Sequence, residues 1–146
     1  FVEAYDDLGI TLAKLGRYEE AMKMLHEALS IQVKQYGNRH YQVANIQSSM
    51  AAVLKEEGKH EDAMKMSEEI LQVRTEQFHD RHPDVADTHF DIAAILVEQS
   101  NWEEARKKYQ EALSIYQEFF DEDDARVTKM NKKVSEALEE LAKREL

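Results

Sequence analysis

One period governs this sequence. The blocks Gly16-Arg17-Tyr18-Glu19-Glu20-Ala21, Gly58-Lys59-His60-Glu61-Asp62-Ala63 and Ser100-Asn101-Trp102-Glu103-Glu104-Ala105 recur every 42 residues. The same step relates Leu12, Leu54 and Leu96, and Leu29, Leu71 and Leu113. It also relates Tyr36, Phe78 and Phe120, and Phe1, Val43, Val85 and Val127. Self-similarity at such a period is the mark of a repeat architecture. No single unit can bury its apolar face alone, so the core forms between neighbours.

Each unit reads as two helices. In the second unit, helix A runs from Tyr41 to Glu57, with Val43, Ile46, Met50, Val53 and Leu54 at helical spacing. Gly58 supplies the stop, because glycine accepts the left-handed cap conformation. Helix B runs from His60 to Phe78, with Ala63, Met66, Ile70, Leu71 and Val73 inward. The third unit restarts at His82-Pro83-Asp84. Proline at the first helical position loses no needed donor, and an acidic residue there suits the helix dipole. The last stretch, Arg126 to Arg144, carries Val127, Met130, Val134, Leu138 and Leu141 at spacings of three and four. It reads as the polar-backed cap that a solenoid needs. Four glycines and one proline leave few breakers, which agrees with helix throughout. Small residues at equivalent sites, Gly9, Ala51 and Ala93 on helix A and Ala21, Ala63 and Ala105 on helix B, let paired helices approach closely. The large partners Leu12, Leu25, Leu29 and their equivalents fill the space beside them.

These positions carry a family resemblance. Tyr5, Leu8, Gly9, Leu12, Tyr18, Ala21, Leu25 and Ala28 match the tetratricopeptide signature in the first unit. The longer 42-residue unit, the aromatics Tyr36, Phe78 and Phe120, and the restart His82-Pro83-Asp84-Val85-Ala86 resemble the repeats of kinesin light chains. The resemblance covers essentially the whole chain. It implies an all-α, right-handed α-solenoid of helix-turn-helix repeats with seven helices, three antiparallel pairs and a terminal helix. The expected organisation is a single repeat domain. It comprises residues 1–42 (entered inside helix A), 43–84 and 85–126, and a capping helix at 127–146.

The family places a concave, peptide-binding groove along its A helices. Carried over position by position, the groove takes Glu3, Asp6, Ile10 and Ala13 from the first unit and Asn45, Ser48, Ala52 and Lys55 from the second. Asp87, Phe90, Ala94 and Val97 come from the third unit, and Lys129, Lys132, Lys133 and Glu136 from the terminal helix. Phe90 is expected to face outward toward a partner. The charges are graded, acidic at the first unit and basic at the last helix. A peptide's acidic segment is therefore expected near Lys129, Lys132 and Lys133, with an apolar anchor near Phe90. The carboxylate-clamp sites of chaperone-binding members hold Asp6, Ser48 and Ile10 here. The paired asparagines of kinesin light chains are replaced by Asp6-Asp7, Ser48-Ser49 and Phe90-Asp91.

Chemistry beyond binding finds little support. Zero cysteine removes disulfides and thiolate metal sites, and fits a cytoplasmic setting. His79, His82 and His89 form the one histidine group, but His40 and His82 share a repeat position and are expected to cap helix A. The run Asp121-Glu122-Asp123-Asp124 lacks the glycine turn of a calcium loop. No phosphate-cradling loop or nucleophile motif occurs, so neither enzyme activity, nor a cofactor, nor a metal is expected. Trp102 matches Tyr18 and His60 and is expected to pack at a helix start. A net charge of −11 disfavours nucleic acid and anionic membranes. No apolar run is long enough for membrane insertion. The expected role is an adaptor or scaffold that holds a protein or peptide ligand. The alternative is a structural module that packs within a larger scaffold or on a second copy. Because the chain begins at Phe1, further repeats or domains of a longer protein are also expected.

Overall fold

The period becomes visible first at the helix ends. A computed structural model describes residues 1–144. Among them are α1 (Val2–Lys14), α2 (Tyr18–Tyr36), α3 (Tyr41–Glu56), α4 (His60–Phe78), α5 (Pro83–Glu98), α6 (Trp102–Phe119) and α7 (Ala125–Arg144), with no strand. The A helices α3, α5 and α7 start 42 residues apart, as do the B helices α2, α4 and α6. The boundaries expected at 43, 85 and 127 fall inside the first turn of each A helix. Residues 145 and 146 of the expected cap lie outside the described residues.

One capping position recurs with two chemistries. The His40 side chain accepts from the Gln42 N–H at 3.1 Å, and that of His82 accepts from the Asp84 N–H at 3.0 Å. Each satisfies a backbone donor that the helix itself leaves unpaired. Each ring also stacks on the aromatic that ends the preceding helix, His40 on Tyr36 at 4.4 Å and His82 on Phe78 at 4.2 Å. At the third occurrence Asp124 Oδ1 accepts from the Arg126 N–H at 2.9 Å. The Arg126 guanidinium binds the same carboxylate and holds it down to about 2.

The turns between A and B helices need a positive φ. Gly16 (79°) and Gly58 (83°) supply it, and Ser100 takes it at 60° in the third unit. In the turns that follow α2 and α4, Gly37 (83°) and His79 (95°) do the same. An L-residue pays for this conformation with a Cβ clash that glycine avoids.

The chain forms two compact units, Phe1–Gln77 and Phe78–Leu146. In the first, Leu12, Ala21, Leu25, Ala28, Ile46, Met50 and Val53 join α1, α2 and α3 in one core. Ala44, Ala51, Ile70 and Val73 join α3 to α4, with Met66 packed against them. In the second, Ala93, Ala105, Tyr109, Val134 and Ala137 join α5, α6 and α7. A fully buried leucine or isoleucine such as Leu25 or Ile115 contributes about 1.5–3 kcal/mol relative to exposure. Such burial between helices outweighs what any isolated helix of this length could supply. Gly9 shows how close the approach is. A Cβ there would lie 2.8 Å from Leu25 Cγ and 3.2 Å from the Ala21 carbonyl oxygen.

Charged clips repeat as well. Arg39, in the loop after α2, pairs with Glu76 of α4 at 3.0 Å. Arg81, one repeat later, pairs with Glu118 of α6 at 2.8 Å and donates to Ser114 Oγ. Both pairs are exposed and worth at most about 1 kcal/mol each, so they orient loops more than they stabilise the fold.

Two packing expectations are corrected. Leu138 is 47% exposed, and the buried face of α7 runs through Val127, Met130, Val134 and Ala137 instead. Ala137 continues the four-three spacing that faces the α5 and α6 helices, whereas Leu138 lies one residue, about 100°, round the helix. The site of Leu25 is not filled by large residues throughout. Its equivalents are Ser67 and Tyr109, both buried. Beside Ala51 the volume comes from Ile70 and Met66, and beside Ala93 from the Tyr109 ring.

Candidate functional site

The A helices carry the expected binding positions, and each unit arranges them separately. In the first unit, Ile10 and Ala13 of α1 and Ala52 of α3 line one open cavity of about 390 Å³. Lys14, Tyr18, Ser49, Val53 and Glu56 complete it. Ile10 is 37% exposed and borders this cavity beside the small side chains of Ala13 and Ala52. Ser48 and Lys55 are half-buried. Asp6 is half-buried too, and its Oδ1 is buried with no hydrogen-bond partner among the described residues. Asn45 is exposed, and its Oδ1 accepts from Arg74 Nη2 at 3.1 Å. Arg74 belongs to α4 and is only 6% exposed, so a buried cation holds the orientation of a surface amide.

In the second unit the arrangement differs from the expected one. Phe90 does not stand free. Its ring packs edge-to-face on Tyr109 at 5.3 Å and against the core of α5, α6 and α7. Lys129 Nζ lies 5.0 Å from the same ring, a cation–π contact. Tyr109 replaces the leucine of the first unit and supplies the ring on which Phe90 packs. Lys133 pairs with Glu136 at 3.6 Å, while Lys132, Asp87 and Lys129 are exposed. Val97, Lys133 and Glu136 do come together. With Trp102, Tyr109, Ala137, Glu139 and Glu140 they line a cavity of about 260 Å³. Ala94 is half-buried on the same helix as Val97.

The two cavities are one site, repeated. Ala13, Tyr18, Ser49, Ala52, Val53 and Glu56 correspond, two repeat steps on, to Val97, Trp102, Lys133, Glu136, Ala137 and Glu140. Each lies between neighbouring A helices at the start of the intervening B helix. The groove expected on the A helices omits the B-helix contribution of Tyr18, Trp102 and Tyr109. The aromatic at the head of helix B was itself visible in the period, so the signal existed. His89, on α5 beside Phe90, is held below the usual histidine range by burial and by Lys108. The Tyr109 hydroxyl is pushed up to about 12 by burial and by Glu136 and Asp91.

Antiparallel helix pairs at a constant period, with A-helix faces that frame open cavities, define an all-α repeat solenoid. The chain belongs to the tetratricopeptide repeat family, whose profile matches residues 2–76 and 42–118. Repeats of this family typically act as non-catalytic scaffolds that bind proteins or peptides. No match is found among curated proteins. Among solved structures, BtubC (BKLC) from P. vanneervenii superposes at a TM-score of 0.84 with 19% identity, covering 97% of this chain and 56% of that one. The nearly identical TPR-like repeats of a Podosopora anserina protein named as a kinesin light chain give 0.76 and 18%, covering 97% and 72%. The N-terminal domain of stress-induced protein-1 (STI-1) from C. elegans gives 0.60 and 20%, covering 90% and 93%. The chain thus spans little more than half of BtubC. At these identities the likeness concerns the fold. No helix among the described residues is long and apolar enough to cross a membrane.

Proposed function

We propose that this chain is an adaptor module whose A helices hold a segment of a partner protein. The observation that carries this reading is the open cavity beside Ile10, Ala13 and Ala52. There a large aliphatic side chain stands exposed next to small ones. Ala52 leaves room for a ligand side chain, Ile10 offers apolar contact, and Asn45, held by Arg74, offers an amide to a peptide backbone. In the second unit, exposed Lys129 and Lys132 favour an acidic stretch of ligand along the outer part of α7. A cytoplasmic cargo-adaptor role like that of kinesin light chains is the finer form of the proposal. It rests on the shared repeat length and the likeness to the P. anserina repeats.

A peptide-display selection against the protein tests this directly, repeated with Ile10→Asp, Ala52→Arg and Lys132→Glu. All three residues are exposed, so the fold should survive each change. A motif that enriches on the parent and is lost with Ile10→Asp and Ala52→Arg supports the groove. A selection that enriches nothing, or variants that bind as the parent does, would remove it. Phe90→Ala is unsuitable, because the ring is part of the core.

A second reading, packing on another repeat or a second copy, has its own observation. Leu8 is 47% exposed, while its equivalents Met50, Ile92 and Val134 are 2%, 3% and 9% exposed, Met50 packing with α2 and Val134 with α6. Light scattering across a range of concentration addresses self-association. A mass that stays at one chain excludes the second-copy form.

A further inference from the structure

The two repeated cavities share a geometry but not a chemistry. In the first, Lys14 and Glu56 flank apolar and small side chains. In the second, Glu136, Glu139 and Glu140 outnumber the one lysine, Lys133, and the aromatics Trp102 and Tyr109 line it too. Lys133 pairs with Glu136, and Lys143 with Glu140, which leaves Glu139 exposed with no ion pair among the described residues.

We infer that this second cavity takes a cationic side chain, a lysine or arginine of the bound segment. The inference rests on the reading of the chain as a peptide-binding module and adds the ligand chemistry of one subsite.

Four observations converge on it. Tyr109 lines the cavity, is 3% exposed, and has no hydrogen-bond partner for its hydroxyl among the described residues. An unpaired hydroxyl at the cavity wall can accept from a ligand N–H. Trp102 Nε1 is buried without an acceptor. A residue of a peptide carries both complements, a cationic head that donates and a backbone carbonyl that accepts. The protein already places a cation on this surface, since the Arg144 guanidinium lies 5.7 Å from the Trp102 ring. Indole is the strongest aromatic partner for such a charge. Finally, the size suits one side chain. Pockets for whole small ligands run from about 300 to 1,000 Å³, and this one is about 260 Å³.

Trp102 is the one tryptophan of the sequence, so its fluorescence reads this site alone. The probes are the N-acetyl amides of lysine and arginine, with the norleucine derivative as the uncharged control, titrated at constant ionic strength. The expected result is a saturable change in Trp102 emission with the cationic probes and none with the control. Glu139→Lys, a change on an exposed residue, should weaken that response by about tenfold. A response that does not saturate, that is equal for norleucine, or that is unchanged in Glu139→Lys overturns the proposal. The peptide selection above is independent of this outcome. An enriched motif without a basic residue, together with a silent Trp102, would leave the adaptor reading standing and remove only the cationic subsite.

Discussion

A single backbone torsion separates Ser100 from its two glycine equivalents. All three positions sit at positive φ, and only Ser100 carries a Cβ there. Ser100→Gly should therefore stabilise the protein by about 0.5–1 kcal/mol. The relief of left-handed strain exceeds the extra flexibility that glycine gives the unfolded chain. Urea unfolding of the two proteins measures the difference, and a variant of lower midpoint refutes the reasoning. Gly9 poses the opposite question. In a helix interior, alanine is favoured over glycine by about 1 kcal/mol. Here the new methyl would stand 2.8 Å from Leu25 Cγ, a branch point that cannot swing aside, and 3.2 Å from a backbone oxygen. Overpacking of that kind costs about 1–3 kcal/mol. Gly9→Ala is expected to lower stability by about 1 kcal/mol net, although alanine is found at the equivalent sites Ala51 and Ala93. Gain of stability in the same unfolding experiment would show that α1 and α2 can separate freely.

The element that most depends on ionisation is α7. Its N-cap is a carboxylate, whereas α3 and α5 are capped by histidine. Asp124 has a folded value of about 2, below its ordinary 3.8, because Arg126 binds it through both side chain and backbone. A depressed carboxylate contributes stability above its unfolded value and loses it as pH falls through the folded value. Asp124→Ala should accordingly lower the melting temperature at pH 7, with the deficit shrinking below about pH 4 and most of it lost as pH falls to about 2. Paired thermal melts from pH 2 to 7 provide the check, and a deficit constant across that range would show that the cap acts without its charge. Because α7 covers Tyr109 and Ala93, fraying of its first turn would be felt in the core of the second unit.

At the scale of the whole molecule, charge dominates. A net charge of −11 on 146 residues makes the folded state repel itself. Raising sodium chloride from about 0.01 M to 0.15 M shortens the screening length from about 30 Å to 8 Å. The melting temperature is expected to rise over that range. A fall would mean that the exposed pairs, such as Arg39–Glu76 and Arg81–Glu118, matter more than the overall repulsion. The same acidity makes a cationic subsite at Glu139 consistent with the field around it.

The period by itself determined the helix pairs, their starts and stops, the caps at His40 and His82, and the small-residue contacts. These are local or nearest-neighbour properties, and a repeat restates each of them three times. Ile10, Ala13 and Ala52 were put together by the family resemblance, not by the period. Only the tertiary structure decided what became of Phe90, Leu138, Ser67 and Tyr109, where the repeats differ. A side chain's environment at such a place depends on the volume and shape opposite it: the Tyr109 ring packs on Phe90, and α5 and α6 meet α7 at Ala137 rather than at Leu138. For the same reason the aromatic, acidic cavity over Trp102 was not legible in any one helix. It arises because α5, α6 and α7 each supply one wall, and side chains far apart in sequence meet there through packing alone.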